Sequence, residues 1–129
     1  MRYRITLASA LLLLFAFLVN PVLAQAPQSK AVKTIAGILV TVNHFPNDEQ
    51  KKTLQTLAAD PTTTAQEKVL IQAVVGMQHS INAADKPKVE EVMKDPKAPE
   101  GVKTIAGILD KFLHTASAAD KETLTKLAM

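Results

Sequence analysis

Hydrophobic residues recur along this chain in stripes with the three- and four-residue spacing of amphipathic helices. Three long stripes stand out. They are formed by Val32, Ile35, Leu39 and Val42, then by Leu70, Val74 and Met77, and then by Val102, Ile105, Leu109 and Phe112. Each stripe fits a helix that turns one side toward a hydrophobic core. The pattern therefore predicts three helices, each with a buried apolar side.

A shorter apolar patch, set in a more charged segment, follows each long stripe. The patches are Leu54, Leu57 and Ala58, then Val89, Val92 and Met93, and then Leu124, Leu127 and Ala128. Their spacing is again helical, but the apolar side is narrower. Each long stripe is therefore predicted to be followed by a second helix that packs less of its surface than the first.

Signals for the beginning and end of a helix flank these second patches. Asn47, Asn82 and Ser117 stand at the predicted starts, and their side chains accept hydrogen bonds from the free amides of a first turn. Gln50, Asp85 and Asp120 follow three residues later, as the reciprocal partners of capping boxes. Asp-Pro pairs at 60–61 and 95–96 are predicted to end two of the helices, because the residue before proline avoids helical geometry.

The same pattern returns every 35 residues. The stretch VKTIAGIL occurs at 32–39 and again at 102–109, and half that shift brings His44, His79 and His114 into line. A fixed period of this length is typical of stacked supersecondary units. The sequence predicts an all-α fold of six helices in three tandem helix-turn-helix repeats, near 25–59, 60–94 and 95–129. Both an open solenoid and a closed bundle fit this pattern.

The first 24 residues have the pattern of an export signal. Arg2 and Arg4 precede an apolar run at 5–19, and small residues before Gln25 suit cleavage after Ala24. The run is shorter than the about 20 residues that span a membrane. We expect an N-terminal signal helix at 1–24 and a single mature domain at 25–129, exported to the periplasm or secreted. In the alternative, the segment stays uncleaved and is the only part that contacts a membrane.

Composition changes the picture once the signal is set aside. Loss of Arg2 and Arg4 lowers the net charge from +3 to +1 and leaves no arginine, with Phe45 and Phe112 as the remaining aromatic residues. Nucleic-acid binding needs a clustered basic surface, so it is not expected. The chain has no cysteine. Packing alone, without disulfides, must therefore hold the exported domain together.

The three histidines are the candidate functional residues, and two interpretations of them differ. Imidazoles at equivalent positions suit a transition-metal site made of His44, His79 and His114. In an open stack, however, equivalent positions lie about 8–10 Å apart, which is too far for one ion. The sequence therefore favours a structural role near the ends of the first helices, with Asp85 or Asp120 as the partner in the second and third units. Metal binding is the alternative interpretation. In the favoured one, no metal or other cofactor is expected.

Nothing else in the sequence indicates chemistry. There is no nucleophile turn and no glycine-rich phosphate loop, so we expect no enzyme. The sequence favours a protein-interaction or structural module with an unidentified protein partner, or one that associates with itself. For self-association, we expect Leu124 and Leu127 to lie exposed at the open end of a stack. The alternative function is metal binding through the repeated histidines.

Overall fold

The computed structural model describes residues 27–129, and the expected signal helix at 1–24 lies outside this range. Within it the chain is all-helical, with no named strand, which confirms the predicted fold class. The six helices are α1 (Lys30–Thr41), α2 (Asp48–Ala59), α3 (Ala65–Val75), α4 (Lys86–Lys94), α5 (Glu100–Lys111) and α6 (Ala118–Ala128). None of these helices combines the length and hydropathy that crossing a bilayer demands.

Three of the helices form the centre of the molecule. Helices α1, α3 and α5 each contact the other two, and α2 and α4 each pack between neighbouring members of this trio. Helix α6 packs between α5 and α1, and its contact with α1 is extensive. The last helix of the chain therefore closes onto the first, so the six described helices form a ring rather than an open stack.

The predicted apolar stripes supply the core of this ring. Every residue of the three long stripes is buried, at 4% exposure or less. The second helices contribute fewer buried side chains, as predicted, because each has one side on the core and the other in solvent. Leu54, Val89 and Leu124 are fully buried, whereas Met93 is 36% exposed and Leu127 is partly buried.

Burial of Leu124 overturns one expectation. The sequence places Leu124 and Leu127 at an exposed end of the stack, but α6 packs them toward α1 and α5. The prediction that these leucines form a self-association surface is therefore wrong, because replacing them would damage the core. Self-association as such remains a prediction.

Most predicted helix ends are confirmed. Asn47 and Ser117 cap α2 and α6, with a capping box between Asn47 and Gln50 and none at Ser117. Asp60 and Asp95 are the C-caps of α2 and α4. The predicted start of α4 is wrong, because the helix begins three residues beyond the expected first position.

The late start of α4 has a local cause. Pro87 lies in the first turn and has no amide hydrogen, so it cannot donate to the carbonyl of residue 83 as a helix that began there would require. The Asn82 side chain still accepts from the Asp85 amide at 2.9 Å, which makes it the cap of the preceding turn. Asp85 in turn accepts from the Asn82 side-chain amide, not from the backbone as a capping box requires.

Candidate metal centre

The three histidines lie in the loops that join each central helix to the helix that follows it. Helix α1 ends at Thr41 and α5 at Lys111, and His44 and His114 come three residues later. His79 follows the end of α3, at Val75, by four residues. The histidines therefore lie just beyond the helix ends near which they were predicted, and the chain has already left helical geometry where they occur.

All three loops have the same unusual backbone. The φ angles of His44, His79 and His114 are 69°, 65° and 63°, and no other described non-glycine residue has a positive φ. In each loop the amide after the histidine donates to the carbonyl before it, at 2.7–2.9 Å. This pattern is a γ-turn with positive φ at its centre, which is rare and strained. Histidine tolerates positive φ better than most side chains do.

Backbone hydrogen bonds between the histidines join the three loops in a circle. The His44 amide donates to the His114 carbonyl at 2.6 Å, the His79 amide to His44 at 2.7 Å, and the His114 amide to His79 at 2.6 Å. Each histidine thus donates to one loop and accepts from the other. These bonds hold the strained turns in place, because each turn presents its amide and carbonyl to its neighbours.

The imidazole rings meet as a result of this circle. Their centroids lie 4.9–5.0 Å apart in all three pairs, with edge-to-face orientation. His44 is half-buried, and His79 and His114 are exposed to solvent. The expectation that the histidines lie too far apart for one ion is therefore wrong, because it assumed an open stack and the helices form a ring.

The ring nitrogens lie close enough together to be considered as ligands of one ion. One nitrogen from each histidine can be chosen so that all three lie within 4.8 Å of one another. The Nδ1 atoms of His79 and His114 are 3.2 Å apart. Two nitrogens on a tetrahedral zinc ion lie about 3.3 Å apart, since each is about 2.0–2.1 Å from the metal. One pair thus has the spacing of two ligands, and binding of the third nitrogen to the same ion would require side-chain rotation, since the three nitrogens are separated by up to 4.8 Å.

One polar side chain, that of Asn43, contacts an imidazole of this cluster. The Nδ1 atom of His44 lies 2.6 Å from the Asn43 side-chain oxygen. An imidazole whose Nδ1–H donates to such an oxygen keeps the lone pair of Nε2 free for a metal. The corresponding residues before the other histidines are Gln78 and Leu113, and the Asn43 contact was not predicted from the sequence.

The predicted carboxylate partners do not reach the histidines. The Asp85 carboxylate accepts a hydrogen bond from the Asn82 side-chain amide and lies 3.7 Å from the Lys88 ammonium. Asp120 lies 3.1 Å from the Lys111 ammonium. The predicted pairing of His79 or His114 with these aspartates is therefore wrong. The ligand set that the structure brings together consists of imidazoles alone.

Comparison with known proteins adds no relative: no protein-family model, no curated protein and no solved structure matches the chain.

Proposed function

We propose that this protein binds a divalent transition-metal ion through His44, His79 and His114. The observation that carries the proposal is the meeting of three imidazoles within 4.8 Å at the end of the bundle. Three strained residues in one place also favour a functional role, since such backbone costs on the order of 1–3 kcal/mol per residue and persists where the surroundings impose it. The role is one of binding and involves no catalytic residue.

The ligand type narrows the choice of metal. Neutral imidazole nitrogen suits zinc, copper and nickel, whereas calcium and magnesium require oxygen ligands. The sequence has no cysteine, so thiolate ligands play no part. The proposed ions are therefore Zn²⁺, Ni²⁺, Co²⁺ and Cu²⁺.

The proposal includes an architecture for the whole mature domain. Three tandem units of 35 residues would each supply one central helix, one histidine loop and one outer helix. Supporting this, corresponding helices α1, α3 and α5 begin 35 residues apart, and the three γ-turns recur at the same interval. In such a ring each unit contributes one ligand, so the ion would tie all three units together.

The proposal also includes export. The signal-like pattern at 1–24 supports a protein delivered to the periplasm or secreted, where it would buffer a transition metal. Any membrane contact would come from an uncleaved signal segment.

One observation supports a protein-interaction role, which was the first expectation from the sequence. Phe45 and Leu113 are 57% and 62% exposed, and each is adjacent in sequence to one of the three histidines. Exposed side chains of this type are enriched where proteins bind one another.

Calorimetric titration of the purified protein with Zn²⁺, Ni²⁺ and Cu²⁺ tests the metal proposal. The matched variant replaces all three histidines with glycine, which accepts positive φ and so leaves the γ-turns unstrained. We expect heat of binding from the parent and its loss in the variant, with helicity by circular dichroism unchanged. Binding that survives in the triple variant, or no binding by the parent, would refute the proposed site.

A further inference from the structure

The three loops that carry the imidazoles contain no charged residue. They are the loops at 42–47, 77–82 and 112–117, which together we call the histidine face. None of these loops contains lysine, arginine, aspartate or glutamate, although 21% of the residues in the whole chain are charged. Depletion of charge is the compositional mark of the central part of a protein interface.

Exposed apolar side chains occur on this same face. Among residues 27–129, four large hydrophobic side chains stay exposed: Phe45, Met93, Leu113 and Met129. Phe45 and Leu113 belong to the histidine face, and they flank His44 and His114 in the sequence. The face therefore combines metal-binding groups with uncharged apolar surface.

The three imidazoles can fill only part of the coordination sphere of an ion. All three approach from the bundle, so the remaining positions open toward solvent, where His79 and His114 are exposed. A six-coordinate ion needs three more ligands on that side. The one source of three further imidazoles with matching spacing is another histidine face.

A histidine face is suited to meet its own copy. Faces rich in one sign of charge repel each other, but the three loops hold no charged side chain. Lys51 lies at their edge, where it lines a cavity with Phe45 and His79. Phe45 and Leu113 from each copy would add apolar contact around the ion. Two side chains per copy give too little surface for a stable dimer, since specific interfaces bury about 1,200–2,000 Å² in total. The contact therefore depends on the ion.

We infer that two copies of this chain bind one metal ion between their histidine faces, with His44, His79 and His114 of each copy as ligands. This inference rests on the proposed metal-binding function. Six imidazoles suit Ni²⁺ and Co²⁺ better than zinc, because zinc in protein sites is mostly four-coordinate. The product is a dimer that forms with metal and dissociates when the metal is removed.

Sedimentation velocity with and without Ni²⁺ tests the inference directly. We expect a monomer in the presence of EDTA and a dimer at one Ni²⁺ per two chains. The Co²⁺ form should show the weak visible absorption of a six-coordinate ion. The stronger absorption of four-coordinate Co²⁺ would instead indicate one triad with a solvent ligand.

Two variants locate the contact. Phe45→Lys places a charge on the histidine face without removing a ligand, and we expect the metal-dependent dimer to weaken at least tenfold. Met129→Lys is the matched control, because Met129 is 78% exposed and lies at the end of α6, away from that face. We expect this second variant to dimerise like the parent.

The possible results separate the two proposals. No Ni²⁺ binding would overturn both the site and the dimer. Binding at one Ni²⁺ per chain with a monomeric mass would overturn the dimer and leave the metal site standing. A dimer that Phe45→Lys and Met129→Lys weaken equally, or not at all, would show that the histidine face is not the contact surface.

Discussion

The two ends of the helical bundle are built in different ways. At the histidine face, three loops share one backbone conformation and bond to one another through backbone amides and carbonyls. The opposite end contains the loops at 60–64 and 95–99 together with the start of α1 and the end of α6. There the two loops are not bonded to each other in a circle; each is closed by its own aspartate, Asp60 or Asp95, and other side-chain contacts differ from one segment to the next.

Glu67 makes a contact at the opposite end that its counterparts in the other central helices do not make. It is 3% exposed, and its carboxylate accepts from the Ser29 hydroxyl at 2.5 Å and from the Thr64 amide at 2.8 Å. The corresponding positions in the other two central helices hold Val32 and Val102. A carboxylate thus occupies one of three equivalent buried places, and it joins the starts of α1 and α3.

Asp60 closes the loop at 60–64 at that end. Its carboxylate accepts from both the hydroxyl and the amide of Thr62, at 2.6 and 2.9 Å. These hydrogen bonds hold the pKa of the Asp60 carboxyl below its usual value, with the nearby Lys30 ammonium as a smaller cause. The Asp95 carboxylate accepts from the Lys97 amide in the same way, at 2.8 Å. The opposite end thus has one contact that two loops share and one, at Glu67, that occurs in a single central helix, whereas at the histidine face all three loops share one set of backbone bonds.

The largest effect should come from metal at the histidine face. A ligand at one hundred times its dissociation constant stabilises the folded state by about 2.7 kcal/mol. We expect Ni²⁺ to raise the melting temperature of the parent and not that of the triple glycine variant. The gain should be the same in a Glu67→Ala background, because the two sites share no partners and distant changes add. A smaller gain in that background would show that the two ends are coupled.

A somewhat smaller effect is expected at the opposite end. Glu67→Ala removes two hydrogen bonds to a buried carboxylate, from the Thr64 amide and the Ser29 hydroxyl, and bonds to a charged group of this kind should contribute about 2 kcal/mol. Urea unfolding monitored by circular dichroism measures this loss. Glu67→Gln, which keeps one oxygen acceptor, is the control and should lose less. Equal losses in the two variants would mean that these hydrogen bonds do not stabilise the end.

The smallest effect separates backbone strain from the imidazole at the histidine face. His79→Ala and His79→Gly both remove the ring, but only glycine adopts positive φ without strain. We expect the glycine variant to be more stable by about 1 kcal/mol in urea unfolding. The same pair of changes at Gln78 serves as a control, since no positive φ occurs there. If alanine equals glycine at position 79, the strained turn is absent in solution.

The helices and the core could be predicted from the sequence, but the ring could not. The stripe of Ile35 and Leu39 indicates which side of α1 is buried, and its burial follows directly. The patch around Leu124 indicates that α6 packs against a central helix without indicating which one. An open stack and a ring place the same residue types in contact between neighbouring units, so their hydrophobic patterns are alike.

Whether the histidines form a site depends on the choice between a ring and an open stack, which the sequence does not indicate. The histidines recur at a fixed spacing of 35 residues, but the distance between them depends on whether α6 returns to α1. The positive φ at His44 could not be predicted from composition either, because the turn contains no glycine. A signal that was present in the sequence is the absence of charge from all three histidine loops.

Closure of α6 onto α1 brings distant parts of the chain together. The Lys33 ammonium donates to the Met129 carbonyl at 2.9 Å, and Pro27 and Leu127 line the same cavity. A short flexible linker could therefore join residue 129 to residue 27, and the chain could be cut instead in the loop at 60–64 or at 95–99. Such circular permutants would preserve the core and the three histidines, and the order in which the helices are synthesised would become a design variable.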